Sequence, residues 1–574
     1  MKMVNITINN KKVSVPDGIN ILNAAKQAGI EIPTLCHHPD QSIKANCRVC
    51  IVEVEGSRTL PSSCSTSIQE GMVIHTNSAR ALEARKVIIE LLLANHDADC
   101  LTCHRNLNCE LQKIAVQSGV RVNRFENVLE MKPVDLSSPS IVRNANKCVR
   151  CGRCVEICRD IQGVNIIESI GRSTDIEILP AFGKYLSDVA CTACGQCSTV
   201  CPVAAIYEKE EIDDVWEAIN DPAKHVIVQT APAVRVSIGE EFGMEPGGIV
   251  TGKLVAALRR LGFDKVFDTD FTADLTIMEE GHELLQRLKT GGTLPMLTSC
   301  SPGWINYIEQ YYPELLGHVS SCKSPQQMFG ALAKSYYAQV MDIDPKNIFV
   351  VSIMPCTAKK YEAKRPEMSV DGINQDVDAV LTTRELGRML KQAGIDFGSL
   401  EDEEYDEPFG ITTGAAVIFG ATGGVMEAAL RTVYEVVTGK TLTKLDFHAV
   451  RGLGGIKEAE VDLDGTKIKV AVAHSLANAG KIMEMIKQGN APYHFIEIMC
   501  CPGGCIGGGG QPYHTTDELR ARRITATYMA DRGLQIRKSH ENPAVVALYD
   551  KYLEKPLGER SHHLLHTQYK NRKQ

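Results

Sequence analysis

Residues 148–158 read CVRCGRCVEIC, and residues 191–202 read CTACGQCSTVCP. Both runs separate their cysteines by two, two and three residues, and these cysteines are Cys148, Cys151, Cys154, Cys158, Cys191, Cys194, Cys197 and Cys201. A doubled run of this spacing is typical of a module with two 4Fe-4S clusters, in which the fourth cysteine of each run binds the other cluster. We therefore predict that Cys201 joins the first three cysteines of the first run, and that Cys158 joins the first three of the second.

The rest of the chain is long and rich in cysteine. Its 574 residues exceed what one hydrophobic core accommodates, so several domains are expected. Of its 21 cysteines, 15 precede residue 202, and repeated CxxC spacings are a poor geometry for disulfides. Residues 1–16 lack the apolar centre of a signal peptide, and no apolar run reaches about 18 residues, so we expect a cytoplasmic chain with reduced thiols. The net charge of −8 argues against nucleic acid as a partner, and no membrane association is expected.

Residues 1–78 predict a small β-rich domain with one metal site. Residues 4–8 and 12–15 alternate as two strands around an Asn-Asn turn, and a short amphipathic helix follows. The loop beyond carries four cysteines, namely Cys36, Cys47, Cys50 and Cys64. Four thiolates can hold a 2Fe-2S cluster or a zinc ion. The pattern resembles the β-grasp fold of plant-type ferredoxins, which favours iron, although the gap between the first two cysteines is longer than in those proteins.

Residues 79–125 contain a second metal-binding pattern. A helical run ends in a histidine and three cysteines, His96, Cys100, Cys103 and Cys109. One imidazole with three thiolates can bind a 4Fe-4S cluster or zinc. His104 in the same segment is interpreted as incidental. The complete run resembles the histidine-ligated module of iron-only hydrogenases and of respiratory NADH dehydrogenase, which implies a 4Fe-4S cluster on His96. Residues 126–209 then carry the doubled cysteine run, as a bacterial two-cluster ferredoxin-like domain.

Residues 210–574 alternate strand-like and helix-like segments, which predicts a large α/β domain with mostly parallel sheets, in a chain that is multidomain and α/β with α+β parts. The predicted strands are residues 225–229, 347–354, 377–381, 467–473 and 494–499, and the predicted helices include residues 252–261, 275–288 and 383–393. Sites in such sheets form at the carboxyl ends of strands. The cysteines that directly follow apolar, strand-like segments are Cys300, Cys356, Cys500, Cys501 and, slightly later, Cys505. We expect these thiols to meet at one end of the domain.

Three stretches of this region carry a specific resemblance. Residues 298–304 read TSCSPGW, residues 354–362 read MPCTAKKYE, and residues 497–512 read EIMCCPGGCIGGGGQP. They resemble the three signatures of iron-only (FeFe) hydrogenases, and the order of the preceding modules is similar to the clostridial monomeric type. The resemblance implies an H-cluster, in which a 4Fe-4S cubane is bridged by one cysteine to a di-iron subcluster with carbonyl, cyanide and azadithiolate ligands. It places Cys356, Cys501 and Cys505 as cubane ligands, with Cys505 as the bridge.

One departure from the family pattern concerns the fourth ligand. The first signature of the family has two adjacent cysteines, a proton donor followed by a cubane ligand, whereas this chain has Cys300-Ser301. Either Ser301 binds through oxygen, or Cys300 is the fourth ligand and another thiol transfers protons. We expect Cys300 to be the ligand, because a thiolate is the softer and more acidic donor. Cys500 or Cys322 would then be the candidate relay thiol.

The resemblance also implies a proton path and a cofactor pocket. Glu280, Glu283 and Arg287 share one face of a predicted helix and, with Ser320, match the proton path, although an ordinary surface salt-bridge stripe has the same spacing. Lys359 matches a lysine that contacts a cyanide ligand, and Lys360 beside it is expected on the surface. The positions that match the cofactor pocket are Ala231, Pro232, Gln326, Met354, Pro355, Lys359, Phe419 and Met499.

The function implied by the resemblance is reversible reduction of protons to hydrogen. Ferredoxin or flavodoxin would supply electrons through one 2Fe-2S and three accessory 4Fe-4S clusters, and maturation proteins would supply the di-iron subcluster. An iron-sulfur subunit of a larger dehydrogenase shares the front modules but predicts no thiol-bearing signatures in the second half. A hydrogen or redox sensor with an altered active site is the other alternative, suggested by Cys300-Ser301, although a sensor is expected to carry an output domain. No glycine-rich nucleotide fingerprint is evident, so direct oxidation of NADH is not expected.

Overall fold

The computed structural model describes residues 2–172, 175–463 and 465–573. Its first module contains β1 (Met3–Ile8), β2 (Lys11–Pro16), α1 (Ile21–Gln27), β3 (Glu53–Val54) and β4 (Val73–His75). These strands form one sheet in the order β2-β1-β4-β3, in which only β1 and β4 are parallel. Asn9 and Asn10 both have positive φ, 47° and 66°, as a two-residue hairpin turn requires. The predicted hairpin is therefore present.

The next two modules are small and held mostly by short elements. Their helices and strands are α2 (Ala79–Leu93), α3 (Glu110–Gln117), β5 (Ile141–Arg143), α4 (Arg153–Glu156), β6 (Ile167–Ile170), β7 (Glu177–Pro180), α5 (Gln196–Thr199) and β8 (Ile206–Glu208). β5 pairs with β8 and β6 with β7, both antiparallel. α4 and α5 each begin in the middle of a cysteine run, after Gly152 and Gly195, which both have positive φ.

A buried arginine joins the three front modules. The Arg153 guanidinium donates to both carboxylate oxygens of Glu110, at 2.7 and 2.8 Å, and to the carbonyl of His37 at 2.7 Å. The Arg153 side chain is only 5% exposed. Two paired charges and a backbone acceptor from three modules thus meet in one buried contact.

We expect Arg153→Ala to destabilise the packing of these modules by about 1.5–3 kcal/mol, because it removes two charge-assisted hydrogen bonds from the partly buried Glu110 carboxylate, which keeps only its 3.3 Å contact with His514. Thermal unfolding of the anaerobic protein would show the effect as a lower midpoint. The matched control is Arg159→Ala, which breaks a pair with Asp160 whose side chains are both about half exposed and which is worth about 0–1 kcal/mol. Equal effects of the two variants would contradict the role given to Arg153.

The second half of the chain is a large α/β region that begins with α6 (Ile212–Asn220). Its strands are β9 (His225–Thr230), β10 (Lys265–Asp268), β11 (Met296–Leu297), β12 (Ile348–Met354), β13 (Ala379–Thr382), β14 (Ile456–Leu463), β15 (Thr466–His474) and β16 (Phe495–Met499). Its other helices are α7 (Thr251–Leu261), α8 (Thr269–Thr290), α9 (Pro302–Tyr311), α10 (Pro325–Leu332), α11 (Ala338–Met341), α12 (Ala358–Ala363), α13 (Thr383–Gln392), α14 (Gly414–Val417), α15 (Gly424–Thr438), α16 (Leu476–Lys487), α17 (Asp517–Gly533), α18 (Pro543–Leu548) and α19 (Glu559–Leu565).

These strands form two sheets. The first is entirely parallel, in the order β10-β9-β12-β13, and the second has the order β11-β16-β15-β14, with only β14 antiparallel at its edge. The prediction of an α/β region with largely parallel sheets is confirmed, and all five predicted strands are present with shifted ends. α8 begins at Thr269, earlier than predicted, because its polar first turns are buried inside the domain. Among the described helices, none combines the length and apolar character needed to cross a bilayer.

Candidate active site and cluster sites

A cavity of the α/β region lies between the ends of its two sheets. β12 of the first sheet and β11 and β16 of the second all end at it, and the loops after them supply its thiols. Protein atoms leave about 80 Å³ in it that a water-sized group can reach. Protein interiors are close-packed, with few voids larger than a water molecule, so this space fits a bound group.

Every sequence-predicted cysteine of the second half except Cys322 lines this cavity. They are Cys300, Cys356, Cys500, Cys501 and Cys505, and Ser301 lies among them. All five thiols are free, and none is more than partly exposed. Several free cysteines around one cavity, without a disulfide, offer as thiolates the donor set that an iron-sulfur cluster needs. The residues present therefore fit the cubane of an H-cluster.

The predicted pocket positions also meet here. The residues that line the cavity include Ala231, Pro232, Gln326, Met354, Pro355, Lys359, Phe419 and Met499, which is the complete predicted set. Most are apolar, so water is excluded from the space beside the thiols. The structure thus brings together positions that are up to 268 residues apart in the sequence.

The two adjacent lysines after Cys356 are both buried. Lys359 Nζ lies at the cavity wall and donates to Glu362 Oε2 at 2.8 Å, to Ser324 Oγ at 2.7 Å and to the Cys300 carbonyl at 3.3 Å. The expectation that Lys360 lies on the surface is wrong. Its side chain is fully buried and paired with Glu385 at 3.0 Å, because α12 packs against the first sheet instead of facing solvent.

The predicted carboxylate path lies behind the cavity on α8 and is not a surface stripe. Glu280 is 1% exposed and Glu283 8% exposed. Ser320 Oγ donates to Glu283 Oε2 at 2.9 Å, and Arg287 donates to Glu283 Oε1 at 2.6 Å nearer the surface. At the inner end, Glu280 accepts from the Ser299 amide at 3.3 Å and acts electrostatically on the Cys300 thiol. The predicted residues thus lie in order between the surface and the cavity: Arg287, Glu283 and Ser320 are hydrogen-bonded in turn, and Glu280 lies further in, close enough to Cys300 to act on its thiol electrostatically.

The protonation of Glu280 follows from its burial. Burial first, and repulsion by Glu283 second, raise the pKa of the Glu280 carboxyl to about 8. The group is therefore protonated at neutral pH and has a pKa near the pH at which a relay group is effective. Cys322 lies beside this series rather than in the cavity, with its amide donating to Ser320 Oγ at 3.3 Å.

The doubled cysteine run forms two further cavities, each with four thiols. One is lined by Cys148, Cys151, Cys154 and Cys201. The other is lined by Cys158, Cys191, Cys194 and Cys197. Each group contains the fourth cysteine of the other run, as the spacing predicts. Cys194 also lines the active-site cavity, so the second cluster site adjoins it.

The remaining predicted ligands are grouped in the first two modules. Cys50 and Cys64 have their sulfurs 3.4 Å apart, and Cys36 is hydrogen-bonded to Cys47 and acts electrostatically on the other two. His96 is 6% exposed, and its Nδ1 has no hydrogen-bond partner among the described residues. An orphaned buried ring nitrogen fits a metal ligand. Cys103 acts electrostatically on both Cys100 and Cys109, which places these thiols together.

Comparison with known proteins gives the family. The family models that match are "Iron only hydrogenase large subunit, C-terminal domain" over residues 224–509, "Iron hydrogenase small subunit" over 517–572, "2Fe-2S iron-sulfur cluster binding domain" over 1–79 and "NADH-ubiquinone oxidoreductase-G iron-sulfur binding region" over 85–124. The chain is 51% identical to NADP-reducing hydrogenase subunit HndD of Solidesulfovibrio fructosivorans, over 99% of both chains. It is 45% identical to Iron hydrogenase 1 of Clostridium pasteurianum, over 99% of this chain and 100% of that one.

The chain belongs to the iron-only hydrogenase family. A solved structure of apo FeFe-hydrogenase HydA1 from Chlamydomonas reinhardtii is also similar, with 46% identity and a TM-score of 0.58, over 63% of this chain and 99% of that one. This family member therefore has an H-cluster-containing hydrogenase fold preceded by 2Fe-2S and 4Fe-4S modules.

Two buried carboxylates of this hydrogenase family member were not predicted. Glu362 holds the Lys359 ammonium and also accepts from Ser324 Oγ at 2.9 Å. Glu497 is fully buried and accepts from the amides of Gly423 and Met426, at 2.6 and 2.7 Å, at the start of α15. Glu362 is the last residue of one family signature and Glu497 is the first residue of another, and these positions could have marked both as candidate site residues. The Lys359–Glu362 pair is local, three residues apart on one helix, whereas Ser324 and the amides that Glu497 accepts from are distant in sequence and required the fold.

The glycine-rich loop after Cys505 lets backbone segments of this family member approach closely. A Cβ on Gly508 would lie 2.0 Å from the Pro355 carbonyl oxygen, and one on Gly509 would lie 2.2 Å from that of Cys194. Thr357 Oγ1 also donates to the Ala193 carbonyl at 2.9 Å. The absence of side chains at these glycines therefore lets the cluster site that includes Cys194 pack directly against the catalytic domain.

We expect His96→Cys to lower the reduction potential of the cluster in the second module, by on the order of 100 mV, because a thiolate adds a negative charge that imidazole lacks. A redox titration followed by electron paramagnetic resonance (EPR) measures this. His104→Gln is the matched control, because the His104 ring stacks on Tyr207 at 4.0 Å and pairs with Glu210 instead. An unchanged potential in His96→Cys would show that His96 is not a ligand.

Proposed function

We propose that this protein catalyses the reversible reduction of protons to molecular hydrogen. The observation that carries the proposal is that three strand ends deliver thiols to one apolar cavity, and that a buried carboxylate series reaches this cavity at Cys300. The proposed cofactors are one 2Fe-2S cluster, three accessory 4Fe-4S clusters and an H-cluster. When bound, the H-cluster supplies the redox chemistry of hydrogen, and the chain supplies protons, electrons and a dry, shaped site.

The proposed proton route uses the groups on α8. Arg287 is partly exposed and orients the Glu283 carboxylate, which accepts a hydrogen bond from Ser320. Ser320 also lies close enough to Glu280 to affect the pKa of its carboxyl, and we place the next proton transfer between these two groups. Glu280 then exchanges its proton with the Cys300 thiol at the cavity. Each transfer is between neighbouring groups whose positions are fixed by packing.

The proposed electron route follows the packing of the cysteine sites. One apolar cluster contains Cys36, Cys151 and Cys201, with Cys47 and Cys109 packed against it. The sites of the first and second modules therefore both adjoin the site of Cys151 and Cys201. From there the route continues to the site that includes Cys194, at the wall of the active-site cavity. Electrons can thus enter through the site of the first or the second module, and both routes reach the active-site cavity through the site that includes Cys194.

The electron partner has two candidates. Ferredoxin or flavodoxin is the first, because the front modules have no nucleotide-binding fingerprint. The second is a complex that uses NADP, favoured by 51% identity over 99% of both chains with a subunit named for NADP reduction. Hydrogen production from reduced ferredoxin, measured beside production from NADPH with and without proteins that co-purify, separates them. Activity with NADPH only in the presence of co-purifying proteins would support the complex.

The test of the proposed function is an infrared spectrum of the anaerobically matured protein, together with a hydrogen assay. Carbonyl and cyanide bands with hydrogen turnover support the proposal. Bands without turnover, in a protein whose spectrum changes under hydrogen, would favour the sensor alternative. Absence of the bands after full maturation would rule out the hydrogenase function.

A further inference from the structure

Five cysteines of the α/β region line the active-site cavity, one more than the four protein ligands that a cubane takes. We propose that Cys500 is the fourth ligand of the active-site cubane, with Cys356, Cys501 and Cys505, and that Cys300 remains a free thiol at the end of the carboxylate path. The inference rests on the proposed function, because it concerns the cluster of the same site. It differs from the sequence-based expectation, in which Cys300 takes the ligand position.

The position of the Cys500 sulfur supports ligation. Cys500 directly follows β16 and is 4% exposed. Within a strand, the side chains of Cys500 and Cys501 would point to opposite faces. β16 ends at Met499, so this rule does not apply to them, and their thiols lie within hydrogen-bond range of each other. The Cys500 thiol also reaches that of Cys194, a ligand of the adjoining cluster site. Cys500 is therefore on the side of the cavity that faces the electron route.

Ser301 lies beside the same place. The Cys500 amide donates to Ser301 Oγ at 3.1 Å, so these two residues are in direct contact. A Cβ on Gly303, in the first turn of α9, would lie 2.6 Å from Cys500 Sγ, so this sulfur fills the space next to Ser301. A serine hydroxyl is a hard and weakly acidic donor, whereas iron in a cluster prefers thiolate. The chain thus offers a thiol where its own Ser301 offers none.

Cys300 lies on the other side of the cavity. It packs against the apolar cluster that contains Ala273, Phe419 and Met499, beside α8 and the carboxylate path. Cys500 and Cys501 belong instead to the cluster that contains Trp304, with Cys194 packed against it. Binding iron at Cys300 would remove the thiol proton at the point where the path reaches the cavity. The two thiols therefore have separate tasks that match their separate surroundings.

The chemistry of the step is a simple exchange. The Cys500 thiol loses its proton, and its sulfur forms a bond to one iron of an inserted 4Fe-4S cluster. The proton is released to water, and no oxidant or reductant takes part.

The test uses the full chain produced anaerobically without the maturation proteins of the di-iron subcluster. Iron and acid-labile sulfide are counted per chain, and the clusters are resolved by EPR. We expect Cys500→Ala to lose the iron, the sulfide and the EPR signal of one 4Fe-4S cluster while the accessory signals remain. Cys300→Ala and Ser301→Ala should keep all of them.

A double variant separates ligation from folding. The double variant Ser301→Cys/Cys500→Ala places a thiol at residue 301 in place of the one at residue 500, with which residue 301 is in contact. We expect this protein to regain the lost cluster. The proposal is overturned if the double variant fails to regain it, or if Cys300→Ala loses the cluster. It is also overturned if Cys500→Ala keeps all its iron and only shifts the potential of an accessory cluster, since Cys500 would then merely hydrogen-bond to Cys194. Because this readout needs no hydrogen turnover, it is independent of the infrared test.

Discussion

Replacing Glu280 by glutamine is expected to lower hydrogen turnover by a factor of about 10²–10⁴, because the variant removes a proton-transfer group without changing its shape. Glu280 is the group of the buried series that acts on the Cys300 thiol. Infrared bands of the matured di-iron unit should remain, since the cavity lining is unchanged. The matched control is Glu245→Gln, because the Glu245 side chain is 94% exposed and does not belong to the buried series. Equal turnover in Glu280→Gln and wild type would contradict the proton route.

The same variant carries a pH dependence of stability. The Glu280 carboxyl titrates at 4.5 without its environment and at about 8 in the folded protein. Between these values the folded state keeps a proton that the unfolded state releases, so the free energy of unfolding falls as pH rises through this window. Glutamine does not titrate. We therefore expect the thermal midpoint of Glu280→Gln to fall less than that of wild type between pH 5 and pH 8, and an equal fall would contradict the shift.

Replacing Cys505 by alanine is expected to abolish hydrogen turnover and to remove the carbonyl and cyanide infrared bands. Cys505 lines the cavity with Cys356 and Cys501, and the family resemblance implies that it would be the bridge between the cubane and the di-iron subcluster. Replacing a bridging thiolate would remove the residue that holds the subcluster in place. The measurement is infrared spectroscopy after anaerobic maturation, combined with an iron count.

Cys322→Ala is the matched control for this variant. Cys322 is fully buried, whereas Cys505 is partly exposed, and it lies outside the cavity, with its carbonyl accepting from Ser299 Oγ at 2.7 Å. The control should keep the infrared bands, and the accessory EPR signals should survive in both proteins. Bands of normal intensity in Cys505→Ala would show that the bridge is another residue.

Much of the metal chemistry was accessible from the sequence because ligand spacing is a local property. The doubled run predicted two sets of four cysteines that exchange their fourth members, and the structure brings those sets together. The strands that end near Cys356 and Cys500 were predicted from short apolar runs, and the carboxyl-end rule then placed their thiols together. The complete predicted pocket came from three signatures and the resemblance that they carry.

Burial was harder to predict than identity. Lys360 has the sequence of an exposed helix residue but is fully buried against Glu385, which lies 25 residues later. The spacing of Glu280, Glu283 and Arg287 fits a surface stripe as well as it fits a buried path. Both cases depend on which element covers a helix face, and that partner is distant in sequence. Glu497 was missed for the same reason, whereas the pair of Glu362 with Lys359 at i,i+3 was within reach of sequence spacing.

The sequence by itself determined which candidate ligands the chain carries and how they are spaced, because a cysteine run keeps its spacing wherever the segment lies. It also determined an α/β domain with thiols at strand ends, since apolar periodicity is read within a few residues. Only the tertiary structure decided that the cavity lies between two sheets, with β12 on one side and β11 and β16 on the other. It alone separated Cys300, beside the carboxylates of α8, from Cys500, beside Cys194. The direction in which a thiol points is set by contacts with residues distant in sequence, and the spacing of cysteines along the chain does not reveal those contacts.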